Sequence, residues 1–313
     1  MNEMSEKTFS RIFKSAFDQP GDGKFYKLPA GLGEVKDFQM SAMVTVNDVA
    51  DIDSATMLDE VLGLARPQYV LAGNACRIIP SDTLEFSVDI ATKLSAQEKV
   101  PDLVEPDLKK LGWTRVAFDL WKNQVHVAIG DKAARRASHN VLQLSIEDAA
   151  GAIAASKNSQ IATALNGGTR TGAGGNWTST TNPYDDIATA ITSIEDTYEA
   201  GEANTLIAPR PVWTAFFGNA YVKGQLEGVK FPATKIFPVP GLPGFTGVLD
   251  NNITAAAMVV CDKNKYVLMG QGPVEAEGYR NSAAGFDAWV IRDWMQPQRV
   301  VNDAGYVLTA LLT

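Results

Sequence analysis

Two cysteines and two histidines are all that this 313-residue chain offers to the chemistries that depend on them. Cys76 and Cys261 stand far apart without metal-ligand spacing, which argues against a disulfide framework and for two buried thiols in a reducing setting. No apolar run approaches the roughly 18 residues of a membrane-spanning helix. The first residues lack the uninterrupted apolar core of a secretory signal. No polybasic run occurs and the net charge is -8, so the chain as a whole is not a nucleic-acid binder by charge. What is present is ordinary for a folded protein: 45% hydrophobic and 20% charged residues, enough for one large or two medium cores.

The motifs that come nearest to chemistry each miss an obligatory residue. Residues 167–175 are glycine-rich, but they follow a helical pattern, and Ala173 and Gly174 stand where a phosphate loop needs Lys and Ser or Thr. Trp177 occupies the last glycine position of a dinucleotide fingerprint. A mobile connecting loop is the expectation for this stretch. Asp51 and Asp53 open like a calcium loop, yet Thr56 and Leu62 replace its glycine and glutamate. His126 lies on the polar face of a strand and His139 in a turn, with no nucleophile elbow or His-Glu-x-x-His nearby. Asp185, Asp186, Glu195 and Asp196 read as helix-start and solvated-face carboxylates. No catalytic, cofactor-binding or metal-ligating residue is therefore assigned, and no cofactor is expected.

The chain is better organised as architecture. Phe9, Ile12, Phe13, Ala16 and Phe17 form one stripe of a short amphipathic helix, followed by an extended arm punctuated by Gly and Pro. A helix is predicted over 54–65, stopped by Pro67, and strands over 75–80 and 83–91. Leu84, Phe86, Val88 and Ile90 alternate with polar residues, and Val116, Phe118 and Leu120 do so again after about two dozen residues carrying Lys93, Lys99, Lys109 and Lys110. A two-stranded ribbon of this kind has too little chain of its own to cover its apolar face. The simplest remedy is to lay it on another copy. Apolar positions are even up to Leu120 and odd at Val125, Val127 and Ile129, which predicts a bulge or bend near 121–124.

Ser145 and Asp148 resemble a capping box, and Ile146, Ala149, Ala150, Ile153, Ile161, Ala164 and Leu165 share one face of a helix over 145–165. Asn182 and Pro183 open a second helix. Short strands follow, then a proline-rich loop over 231–245. The last segment reads as a hairpin, 288–294 and 299–301 turning at 302–305 into 306–311.

Taken in order, these elements resemble the major capsid proteins of tailed bacteriophages and related archaeal viruses, the Hong Kong 97 family. The likeness runs through Ala164-Leu165-Asn166-Gly167 closing the long helix and Ile207-Ala208-Pro209-Arg210-Pro211-Val212-Trp213 entering a helical turn. It continues through Pro238-Val239-Pro240-Gly241 and the ending Trp289-Val290-Ile291-Arg292-Asp293. The resemblance implies an α+β fold with an N-terminal arm (1–50), a first peripheral part (51–84), an extended β-hairpin loop (85–120), a peripheral domain (121–182) with spine helix 145–165, an axial domain (183–275) and returning peripheral strands (276–313). It further implies a non-enzymatic subunit of pentamers and hexamers in an icosahedral shell. That shell would enclose double-stranded DNA without specific binding, as a virion assembled in the host cytoplasm with no membrane. Scaffold, portal and decoration proteins are the expected partners. With no cleavable scaffolding stretch in view, the chain is either mature or served by a separate scaffold. The lysine–asparagine cross-link of the founding phage is not carried over, because nothing singles out one lysine of the loop. Two other readings stand beside it: an encapsulin-type compartment around a cargo enzyme, and a soluble hydrolase with an unrecognised site.

Overall fold

A computed structural model of the chain describes residues 54–91, 112–132, 141–179, 181–197, 201–225 and 231–312. The N-terminal amphipathic stripe, Asp51, Asp53, His139 and the four loop lysines lie outside those residues. The described chain opens with α1 (Ser54–Ala65), ended by a 3-10 turn over Arg66–Gln68, because a proline cannot continue the helical hydrogen-bond ladder. Next come β1 (Arg77–Pro80), β2 (Glu85–Ala91), β3 (Trp113–Asp119) and β4 (Trp121–Gly130). The break in apolar phase falls at Leu120, one residue earlier than the alternation suggested. There the chain changes partner: β3 pairs with β2, whereas β4 belongs to another sheet.

The long helix α2 covers Val141–Asn166, 26 residues or about 39 Å of rod. It starts a turn before the expected cap, so Ser145 and Asp148 lie inside it and form no capping box. Its buried face carries Ile146, Ala149, Ala150, Ile153, Ile161 and Leu165, as the stripe predicts, and also Lys157 and Asn158. Beyond it lie β5 (Thr171–Ala173), α3 (Pro183–Thr197), β6 (Thr205–Ala208), α4 (Arg210–Gly218) and α5 (Ala220–Gln225). The chain ends with β7 (Ile236–Pro238), β8 (Thr246–Leu249), β9 (Met258–Cys261), β10 (Val267–Asn281), β11 (Phe286–Arg299) and β12 (Gly305–Thr309).

Two sheets organise these elements. One has the order β1-β10-β11-β4, and α1 and α2 pack on it through Val61, Ala65, Ile146 and Ile153 against Val127, Ile129, Trp289 and Ile291. The other has the order β5-β12-β9-β6-β8-β7 and carries α3 and α4 on a second core built round Trp177, Trp213, Phe216 and Leu206. A third cluster joins them, with Ile161 and Leu165 of α2 against Val259, Cys261, Tyr266, Val267 and Val307. The expected terminal hairpin is not formed. β11 runs unbroken between β10 and β4, and β12 crosses into the other sheet between β5 and β9, so its side chains belong to a different core.

The glycine-rich stretch is corrected by the same pairing. It holds β5, which lies parallel to β12 in register Val307↔Thr171, and it is not a mobile connector. A Cβ at Gly172, Gly174 or Gly175 would collide with Tyr306, Leu311 or Thr181, so glycine is needed here to let other groups close in.

Candidate assembly surface

The β2–β3 hairpin stands apart from both sheets. Its register runs from Glu85↔Asp119 at the base to Ala91↔Trp113 at the far end. Directly opposed residues share a face, so Phe86, Val88 and Ile90 line up with Phe118, Val116 and Thr114. Phe86 and Phe118 stack with ring centroids 4.8 Å apart. Burial fades along the ribbon. On this face Phe118 and Leu120 at the base are buried, Phe86, Val88, Val116 and Ile90 are half-buried, and Thr114 towards the end is exposed. An apolar face that its own chain leaves half open is what a second copy would cover.

The other face carries an ion pair and, at the far end, Trp113, which is 63% exposed. Arg115 donates to both carboxylate oxygens of Asp89, at 2.8 and 3.1 Å, and this hydrogen-bonded pairing holds the Asp89 carboxyl below the usual carboxylate range. Both side chains are solvated, so the pair fixes strand register more than it stabilises the fold.

What seats the ribbon is a gap in the four-stranded sheet. Gly270 and Gly272 of β10 leave space into which Leu120 and Phe86 fit; a Cβ on Gly270 would lie 2.7 Å from Leu120 Cδ2 and 3.0 Å from Phe86 Cζ. Backbone bonds complete the seat: Leu120 N–H donates to Leu84 O at 2.8 Å, and Asp119 N–H to Gln296 Oε1 at 2.6 Å. Gly270→Val is therefore expected to lift the hairpin base at a cost of about 1–3 kcal/mol. Limited proteolysis should then cut between 81 and 121 faster than in the parent. Parent-like digestion together with a parent-like melt would show that the ribbon is not seated there.

On the opposite face of the sheet the spine helix is pinned by a buried charge. Lys157 Nζ lies 3.0 Å from Asp293 Oδ2 and 2.7 Å from Gln271 Oε1, and 4.7 Å from the centre of the Tyr69 ring. Gln271 Nε2 in turn donates to Asp293 Oδ1 at 2.6 Å. Burial, with the Asp293 carboxylate nearby, pushes the Tyr69 phenol up to about 12. Gln271 also marks a register shift in β10, which runs from Gln271 to Val274. The pinned helix, the bulge and the hairpin seat thus meet at one place. Sequence reasoning missed Lys157, although its spacing of four from Ile153 and Ile161 puts it on the apolar stripe.

Among the described residues, none of those weighed for catalysis is brought into a working arrangement. His126 Nε2 meets Tyr279 Oη at 2.9 Å on an exposed sheet face. Burial pushes the Cys76 thiol up to about 11 and raises Cys261 as well, which leaves both protonated and poorly nucleophilic. Among the described residues no group of His, Cys, Asp or Glu could hold a metal ion. A groove of about 1020 Å³ between α4 and residues 251–256 is lined mainly by Trp177, Pro209, Pro211, Ile253 and Leu312, and Arg210 is its single charged residue. No described helix is long and apolar enough to cross a membrane.

No protein-family model matches the sequence, and no curated protein matches it either. Solved structures do match in shape. The virus-like particle from Pyrococcus furiosus has a TM-score of 0.58 at 12% identity, over 81% of this chain and 98% of that one. The capsid of the native GTA particle has a TM-score of 0.62 at 12% identity, over 78% and 90%. The capsid of the cyanophage P-SCSP1u has a TM-score of 0.57 at 12% identity, over 77% and 88%. Identities this low speak for architecture, and on that level the agreement covers most of every chain compared: this chain has the mixed α+β fold of Hong Kong 97-type capsid shells.

Proposed function

We propose that the chain is a major capsid protein whose copies assemble into an icosahedral shell enclosing the double-stranded DNA of a tailed virus. The observation that carries this reading is the β2–β3 ribbon, whose apolar face is half open in the single chain. The fold shared with capsid shells supports it. On this reading the four-stranded sheet with α1 and α2 is the peripheral domain. The six-stranded sheet with α3 and α4 is the axial domain, so that 171–173 and 305–309 join it, while 267–275 of the expected 183–275 span lie in β10 and go with the peripheral sheet. The role is structural and without catalysis. Pentamers and hexamers form around the axial domains, and scaffold, portal and decoration proteins act as further partners. The net charge of -8 suits a wall past which packaged DNA slides, because a motor-filled head does not need basic arms to gather its genome.

The purified protein, supplied with its scaffold if it has one, should give particles in negative-stain images and a high-mass species by light scattering. Interfaces of about 1,000 Å² or more would be individually modest and collectively strong. Only low-mass species across salt and protein concentration would overturn the reading. Likeness to a virus-like particle favours one alternative, an encapsulin-type compartment. Particle contents separate the two, DNA for a virus head and a protein cargo for a compartment.

A further inference from the structure

The site that pins the spine helix also holds the three groups of an amide exchange. Lys157 supplies a primary amine, Gln271 a carboxamide, and Asp293 a carboxylate that touches both. Lys157 Nζ lies 3.0 Å from Asp293 Oδ2 and 2.7 Å from Gln271 Oε1, and Gln271 Nε2 donates to Asp293 Oδ1 at 2.6 Å. The three contacts close a ring, so amine, amide and carboxylate are already mutually in reach. The Lys157 and Asp293 side chains are 4% and 1% exposed, and the Tyr69 ring lies 4.7 Å from the amine. Gln271 stands where the register of β10 shifts. Asn123, the amide opposite Asp293 across β4, accepts from Ser156 Oγ instead.

In water an amine attacks an amide very slowly, because the amine is protonated and ammonia is a poor leaving group. The Asp293 carboxylate answers both obstacles. Two opposite charges in a dry site are costly to keep. Transfer of one proton from Nζ to Oδ2 replaces them with a neutral amine and a carboxylic acid. The Nζ lone pair then attacks Gln271 Cδ, and the Nζ–Cδ bond forms. Asp293 relays a proton to Nε2, the Cδ–Nε2 bond breaks, and ammonia leaves. Of the two protons that Nζ loses, one departs with ammonia and the other stays on Asp293, so both buried charges disappear. Reactants held in such contact gain an effective concentration of at least about 100,000 M, and the dry site excludes competing water.

We propose that Lys157 and Gln271 become joined by an isopeptide bond from Nζ to Cδ, with Asp293 as the proton carrier. The three groups come from α2, β10 and β11, so they meet only in the folded chain, and before they react the site is the ion pair described above. Both ends lie in one chain, so the bond needs no neighbour and stands apart from the shell reading. The test is mass spectrometry under denaturing conditions on the full-length protein, followed through incubation after folding. Reacted chains should be lighter by about 17 Da, one ammonia per chain. Trypsin should fail to cut after Lys157 and should release one branched peptide that joins it to Gln271. Lys157→Arg cannot form the amide, and Asp293→Asn keeps the shape without taking the proton, so both should keep their full mass. Circular dichroism checks that each variant folds; whether or not they do, the mass of the parent decides the bond. A parent that keeps its full mass throughout would overturn it. So would a loss of about 17 Da that maps elsewhere, such as a succinimide at Asn166-Gly167. A loss of about 18 Da linking Lys157 to Asp293 would overturn Gln271 as the acceptor. A folded Asp293→Asn that still forms the branched peptide would overturn the role of Asp293.

Discussion

Replacing residues 94–111 with a short Gly-Ser turn should leave a folded subunit that no longer builds stable shells. The excision keeps β2 and β3, and with them the Phe86–Phe118 stack and the seat at Gly270 and Gly272. It does not touch the spine helix or the Val127, Ile129, Trp289 and Ile291 surface on which that helix packs. Circular dichroism and a cooperative melt should therefore stay close to the parent. What goes is the charged stretch between the two strands, the part that on the shell reading grips a neighbour. Withdrawing the equivalent of one or two large apolar side chains from each contact costs about 3 kcal/mol. That is roughly a hundredfold in affinity per contact, multiplied over every contact a shell needs to close. Sedimentation after dilution should then show subunits or small rings where the parent shows particles. Dilution-resistant shells from the excised variant would reduce the excursion to a surface loop and remove the main structural argument for assembly.

The ribbon was legible because its physics is local. Alternating residues with period two, a charged excursion and an apolar face without enough chain to cover it can all be read from the string. The spine helix was legible for the same reason, through the spacing of Ile146, Ala149, Ala150 and Ile153. Its start was not. Ser145 with Asp148 imitates a cap, yet the helix begins at Val141, so the backbone is already helical when it reaches Ser145.

The terminal strand was misassigned for a different reason. Tyr306, Val307 and Leu308 look the same whether they pair with β11 or with β9 and β5, and pairing is a long-range choice that a single sequence does not encode locally. The glycine-rich segment misled by composition. Its glycines are there because Tyr306, Leu311 and Thr181 crowd them, not because the loop moves. Of the candidate surface, the sequence yielded the ribbon and the expectation that another copy covers it. The seat at Gly270 and Gly272 and the pin at Lys157 emerge only when strands far apart in sequence are laid side by side.

The pin supplies the second large effect. Lys157 and Asp293 have side chains 4% and 1% exposed, so removing either partner strands a charge in a dry site. Asp293→Ala should destabilise the subunit by about 3–5 kcal/mol, because Gln271 and the Tyr69 ring alone cannot replace a counter-charge. A drop in melting temperature on the order of 10 °C would follow for a chain of this size. Lys157→Met should cost a similar amount, leaving the buried Asp293 carboxylate with the Gln271 amide but no counter-charge. The double variant Lys157→Met/Asp293→Leu should recover most of the loss, since apolar replacement of a whole buried pair is often close to neutral.

A coupling energy of about 2 kcal/mol or more in that double-mutant cycle would show that the two groups act as one unit. Single variants that each cost under about 1 kcal/mol would mean that water reaches the pair and that it behaves as a surface ion pair. Assembly provides a separate readout, because the pin holds α2 against β10 at Gln271, beside Gly270 and Gly272 where the hairpin base is seated. If the pin also sets the angle of the arm, the double variant should melt like the parent and still close fewer shells. Shells formed at parental yield by that stable variant would confine the pin to folding.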